Sequence, residues 1–119
     1  MTKLFVYGTL KRGFGNNRLL SNSQFLGEYR LMADENFYMV SLGGFPAIIW
    51  DVTSKEATPI YGEVYEVSEM DFQRIDRLEG YPTWYNRKEI DTAYGPAWVY
   101  FWNPTESHSE YPKIESGVF

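Results

Sequence analysis

The chain has 119 residues, and a domain of that size buries roughly 60–70% of the surface its unfolded form exposes, enough for one core without staples. Hydrophobic residues make up 44% and aromatic residues 18%, which excludes a disordered segment. There is no Cys and one His, which excludes disulfides, thiolate nucleophiles and Cys- or His-clustered metal sites, and the net charge of −5 has the wrong sign for a protein held on nucleic acid or anionic lipid.

These balances lead us to expect a reducing, cytoplasmic setting, no metal, and neither nucleic acid nor membrane as a partner. No apolar run approaches the roughly 20 residues that span a bilayer. One Lys and three apolar residues before Val6-Tyr7-Gly8 do not make a signal peptide, so the chain is expected to start at Met1.

The first element is Leu4-Phe5-Val6-Tyr7, a β-favouring run that stops at Gly8. Thr9 to Asn17 reads as a loop, rich in residues that tolerate unusual dihedrals and carrying Lys11 and Arg12. Strands are expected at Gln24 to Met32, Asn36 to Ser41 and Ala47 to Trp50, with Leu42 to Pro46 as a turn and Lys55 to Pro59 as a connection. Ile60 to Val67 alternates with a period of two, and Gly62 marks a close backbone approach or a weak point.

Ser68-Glu69-Met70-Asp71 has the form of a capping box, and Gly80 followed by Pro82 is a stop, so a helix is expected between them. Phe72, Ile75 and Leu78 form its apolar stripe, opposite Gln73, Arg74 and Arg77. Glu79 falls inside that stripe. Strands are then expected at Trp84 to Thr92 and Ala97 to Trp102, joined by a turn at Tyr94-Gly95-Pro96, and the polar tail from Asn103 is read as loosely held. Residues 1–119 are expected to make a single domain with no internal repeat.

Two constellations could carry chemistry. A carboxylate on the apolar face at a helix C-terminus meets desolvation and the negative end of the helix dipole, and both raise its pKa. Glu79 therefore suits a general base that returns its proton as an acid. The same residue could equally turn to solvent, cap the next loop, or pair with Arg77 or Arg87. The loop opened by Tyr7-Gly8-Thr9-Leu10 could aim backbone N–H groups at an oxyanion, with Lys11 and Arg12 adding positive field, or it could be a plain turn. Phe14 stands where a phosphate-binding loop needs Lys, which disfavours nucleotides. Tyr81, Trp84 and Tyr85 are pocket wall or core. His108, between Ser107 and Ser109, reads as exposed, and Asp34, Glu35 and Asp51 lack metal-loop spacing.

Together the two constellations resemble the gamma-glutamyl cyclotransferase-like superfamily, closest to its gamma-glutamylamine cyclotransferase branch. The residues that carry the resemblance run from 3 to 102: Phe5-Val6-Tyr7-Gly8-Thr9-Leu10-Lys11-Arg12-Gly13 with Asn17, Gly62-Glu63-Val64-Tyr65, Ile75-Asp76, Leu78-Glu79, then Pro82, Tyr85, Arg87 and Val99-Tyr100. The resemblance implies a small α+β domain, with a mixed, largely closed β-sheet or barrel flanked by helices and enclosing a cavity. It implies Glu79 as the essential acid/base, and a loop at Tyr7, Gly8, Thr9 and Leu10 that holds a gamma-glutamyl group, with Tyr85 and Tyr100 as further substrate-binding residues. Arg87 is expected to brace the loop or balance charge. The implied reaction converts an L-gamma-glutamyl amine to 5-oxoproline and free amine, without a cofactor. The net acidity points weakly to a cationic leaving group such as lysine.

Three other readings stand beside it. One is a cyclotransferase for a gamma-glutamyl dipeptide, glutathione or a biosynthetic intermediate. Another is a non-catalytic, ligand-binding member of the same fold. The third is an aromatic barrel that stacks single-stranded nucleic acid or sugar, against which the acidity counts.

Overall fold

The computed structural model describes residues 1–32, 36–50, 58–102 and 111–119. Seven strands, one α-helix and a short 3-10 helix follow in chain order: β1 Thr2–Val6, the 3-10 helix Gly15–Leu20, β2 Gln24–Leu31, β3 Phe37–Ser41, β4 Pro46–Trp50, β5 Ile60–Val67, α1 Glu69–Glu79, β6 Tyr85–Thr92 and β7 Gly95–Trp102. Five strands form one sheet in the order β2-β5-β1-β7-β6, and β3 and β4 pair separately as a hairpin.

The class is α+β and the sheet is mixed, since β1 runs antiparallel to β5 and parallel to β7. The expected closure is corrected: the five-stranded sheet is open, with β2 and β6 at its edges. Strands β3 and β4 pair with each other from Phe37↔Trp50 to Ser41↔Pro46, and the other edge of β3 is taken by Thr58, Pro112 and Ile114, so the hairpin does not bridge the edges of the larger sheet.

Strand β1 is central, and its alternating side chains enter two cores. Leu4 and Val6 pack with Phe72 and Ile75 of α1, whereas Phe5 packs with Leu31, Val64 and Val99 on the other face. Gly62 is a close-approach site, because a Cβ there would collide with the Val6 carbonyl and the Phe5 ring.

The helix ends where its signals lie. Ser68 Oγ accepts from the Asp71 amide at 3.1 Å, and Gly80 takes a left-handed conformation (φ 66°) while its N–H and that of Tyr81 return to the last carbonyls. One position of the stripe differs, since Leu78 is exposed rather than packed.

Two further expectations are corrected. The last three residues of the segment read as a loop, Gly15 to Asn17, begin the 3-10 helix, because Asn16 and Asn17 fold back on Thr9 Oγ1 and the Leu10 carbonyl and Leu20 becomes buried. The described end of the polar tail is anchored: Ser41 and Ile114 donate to Pro112 and Met39 across the hairpin, and Tyr61 donates to Gly117. His108, Asp34, Glu35, Asp51 and the start of the Lys55 to Pro59 connection lie outside the described residues.

Candidate active site

A cavity of about 780 Å³ opens where the end of β1, the end of α1 and the β3–β4 turn converge. Tyr7, Gly8, Thr9, Leu10, Glu79, Tyr85 and Tyr100 all line it. The seven residues expected to do the acid/base work or to bind substrate therefore share one space, whereas Tyr81, Lys11 and Arg12 do not line it. The volume is in the range of small-molecule sites.

Glu79, the last residue of α1, faces the cavity partly buried. Among the described residues no hydrogen bond or cation reaches its carboxylate, and burial pushes the carboxyl up to about 7. The alternative pairing with Arg87 does not form. Arg87 Nε instead lies 3.0 Å from Asp76 Oδ1, one turn earlier on α1, and its guanidinium is enclosed by the rings of Phe72, Tyr81 and Trp98 at 4.3 to 4.6 Å. Arg87 thus braces α1 against β6 rather than bracing the loop.

Three tyrosines stand around Glu79, and its charge is felt by all three hydroxyls. The Tyr7 hydroxyl donates to the Tyr100 carbonyl at 2.8 Å, the Tyr85 hydroxyl to the Pro46 carbonyl at 3.1 Å, and the Tyr100 hydroxyl to Asp76 Oδ1 at 2.6 Å. Burial is the main cause that keeps each of them protonated, followed by Tyr85 and Glu79 for Tyr7, by Glu79 for Tyr85, and by the bond and charge of Asp76 for Tyr100.

The loop is held from behind. Buried Glu63 on β5 accepts from the Arg12 amide at 2.9 Å, from Arg12 Nε at 3.2 Å and from the Tyr65 hydroxyl at 3.1 Å. Asn17 Nδ2 joins Tyr65 to the Leu10 carbonyl. The loop's turn bonds use the carbonyls of Gly8 and Thr9 as acceptors, and the amides of residues 8 to 10 donate to none of these bonds. The positive field expected from Lys11 and Arg12 is not at the cavity. Arg12 turns to Glu63 and Glu28, and Lys11 donates to the Phe119 carbonyl.

Gly8 does not take a left-handed conformation, and a Cβ there would lie 2.9 Å from Pro46 Cγ. Other lining residues escaped the sequence reading. Asn16, Pro46 and Trp102 come from segments with no sequence-local link to Glu79, and only the turn signal at Leu42 to Pro46 hinted that the hairpin tip is shaped for a purpose. The lip is formed by Phe45, Leu78 and Trp84, each at least 44% exposed, together with Arg77. Trp84 stacks on Trp102 at 5.9 Å. Among the described residues no group of three or more His, Asp or Glu side chains gathers to hold a metal, and no helix is long and apolar enough to cross a membrane.

A family model described as gamma-glutamyl cyclotransferase, AIG2-like, matches residues 4–119. The chain belongs to that family. A Vibrio cholerae relative, whose gamma-glutamylcyclotransferase name is itself provisional, is 36% identical over 114 residues, covering 96% of this chain and 91% of its own. An uncharacterised protein from Pyrococcus horikoshii superposes on the whole of this chain and 90% of its own, with a TM-score of 0.80 at 27% identity. The solution structure of ytfP from Escherichia coli superposes with a TM-score of 0.76 at 30% identity, over 99% of this chain and 96% of that one. The cavity and Glu79 thus lie in a gamma-glutamyl cyclotransferase-family domain.

Proposed function

We propose that this family member is a cofactor-independent cyclotransferase that converts an L-gamma-glutamyl amine to 5-oxoproline and the free amine, with Glu79 as general acid/base. One observation carries the reading: a carboxyl without a cation partner among the described residues, poised near pH 7, in the wall of a cavity shared with the Tyr7–Leu10 loop.

The substrate's alpha-amine attacks its own side-chain carbonyl carbon. Holding the folded conformer supplies much of the rate, since well-oriented intramolecular attack reaches effective molarities of about 10⁵ to 10⁸ M. Glu79 takes a proton from the attacking nitrogen, a C–N bond forms, and the carbonyl oxygen gains negative charge. The amides of residues 8 to 10 are the donors proposed for that oxyanion. Glu79 then gives the proton to the departing nitrogen as its C–N bond breaks, so the enzyme ends as it began. Tyr7, Tyr85 and Tyr100 position the glutamyl half.

The lip bears on the leaving group. Its apolar side chains favour an amine with a hydrocarbon body, and the exposed Arg77 favours a leaving amino acid with a free carboxylate over a cationic one. This supports the dipeptide form of the reaction as the second reading. Release of 5-oxoproline, followed by mass spectrometry from gamma-glutamyl-ε-lysine, gamma-glutamyl-alanine, gamma-glutamyl-cysteine and glutathione, tests both. Turnover that disappears in Glu79→Gln is expected; a variant as active as the parent removes Glu79 from the chemistry.

A further inference from the structure

The hydroxyl protons of Tyr7, Tyr85 and Tyr100 are all committed away from the cavity. Two go to main-chain carbonyls and the third to the Asp76 carboxylate, groups that only accept, so each tyrosine must be the donor. The Tyr7 oxygen also accepts from the Ile48 amide, whereas the oxygens of Tyr85 and Tyr100, both close enough to Glu79 to feel its charge, offer lone pairs and no proton. An ammonium group has three donors and no acceptor, and it is the complement of such a wall.

Asp76 decides this for Tyr100. Its Oδ1 takes the Tyr100 hydroxyl at 2.6 Å and Arg87 Nε at 3.0 Å, while Arg87 is fixed among three aromatic rings. The two main-chain acceptors cannot be removed by a side-chain substitution, but Asp76 can. We infer that Asp76 is a positioning residue that, clamped by Arg87, makes the tyrosine wall an acceptor surface selecting substrates with a free alpha-ammonium group. The inference rests on the cyclotransferase reading for its kinetics and on hydrogen-bond geometry for its binding.

The kinetic test is a double-mutant cycle on a gamma-glutamyl amide. Tyr100→Phe and Asp76→Ala should each raise KM about tenfold, the effect of losing one hydrogen bond to a charged group, with less change in kcat. Asp76→Ala in the Tyr100→Phe background should add nothing, because there is no hydroxyl left to orient. Asp76→Asn keeps an oxygen for Tyr100 and should recover most of the loss. Equal KM penalties for Asp76→Ala in both backgrounds would assign Asp76 a purely structural part and overturn the inference.

A second arm needs no turnover and no substitution at Asp76. Binding of L-glutamine and of glutaramic acid, which differ only in the alpha-amine, is compared by titration calorimetry on Glu79→Gln. Tighter binding of L-glutamine by about tenfold, lost in Glu79→Gln/Tyr100→Phe, supports the acceptor wall; equal binding of the two overturns it. Silence of every gamma-glutamyl compound in the kinetic arm counts against the cyclotransferase reading alone, because calorimetry judges the wall independently.

Discussion

Asp76 and Glu79 lie three residues apart on α1 and share its charge environment unequally: Arg87 stands 3.0 Å from Asp76 Oδ1, and no described cation reaches Glu79. Two carboxyl groups one turn apart thereby stand in different surroundings, one held in an ion pair and one without a cation among the described residues, which is what the proposed acid/base requires. Glu79→Gln keeps the shape and removes the exchange. Its turnover should fall by about 10²- to 10⁴-fold, the usual worth of a positioned acid/base, as read from initial rates of 5-oxoproline release.

The same substitution should stabilise the protein at alkaline pH. Folding raises the Glu79 carboxyl from 4.5 to about 7, so between those values the folded state holds a proton that the unfolded state has lost. Stability from this group is complete below about pH 4.5 and declines as pH rises through about 7. Melting temperatures of parent and Glu79→Gln should therefore converge near pH 4.5 and separate by pH 8, with the variant higher. A variant that is better folded and inactive excludes unfolding as the cause of lost turnover.

Activity should follow the opposite slope. A base must be ionised to accept a proton, so kcat/KM is expected to rise with pH along a limb whose midpoint is about 7. An ordinary carboxylate midpoint near 4 in that profile would exclude Glu79 as the group being titrated.

Gly8→Ala should disturb both stability and binding. The new methyl group would fall 2.9 Å from Pro46 Cγ and 3.1 Å from Cδ, and a proline ring in a strand cannot swing aside. The hairpin or the loop must move, at a cost of about 1–3 kcal/mol for an overpacked site. Thermal denaturation and KM report the two effects, and unchanged kinetics would place substrate away from the loop.

Glu63 is expected to act on the loop without touching substrate. Glu63→Gln exchanges a carboxylate that accepts from Arg12 and Tyr65 for an amide that cannot serve all three donors. Bonds to charged groups contribute about 1.5–3 kcal/mol, and part of that should appear as a lower Tm. KM should rise more than kcat falls, because the Tyr7–Leu10 segment loses its rear support.

What could be read from the sequence was whatever is signalled within a few residues. Ser68 and Gly80 mark the ends of α1 because caps are local chemistry, and the β-favouring runs place the strands to within a residue or two. The 3-10 helix has no such signal, since it is held by Asn16 and Asn17 reaching back seven residues. Leu78 obeys the helical period and still faces out, because the cavity occupies the place where a core partner would stand. Arg87's choice of Asp76 over Glu79 depends on where β6 crosses α1, and Pro46 meets Gly8 and Tyr85 only through the packing of the hairpin. Glu79 was legible by its face, and its surroundings were not.

The central place of β1 bears on the order in which the molecule is made. Its residues leave the ribosome well before those of its neighbours β5 and β7, so Leu4 waits for Trp98, and the Tyr7 hydroxyl waits for a carbonyl 93 residues downstream. Such distant pairing is the slow part of folding. A nascent chain that ends before β7 has Glu79 but lacks part of the cavity's wall. The wall around Glu79 is thus completed only when the last strand of the sheet is added, because that strand brings Tyr100 and Trp102.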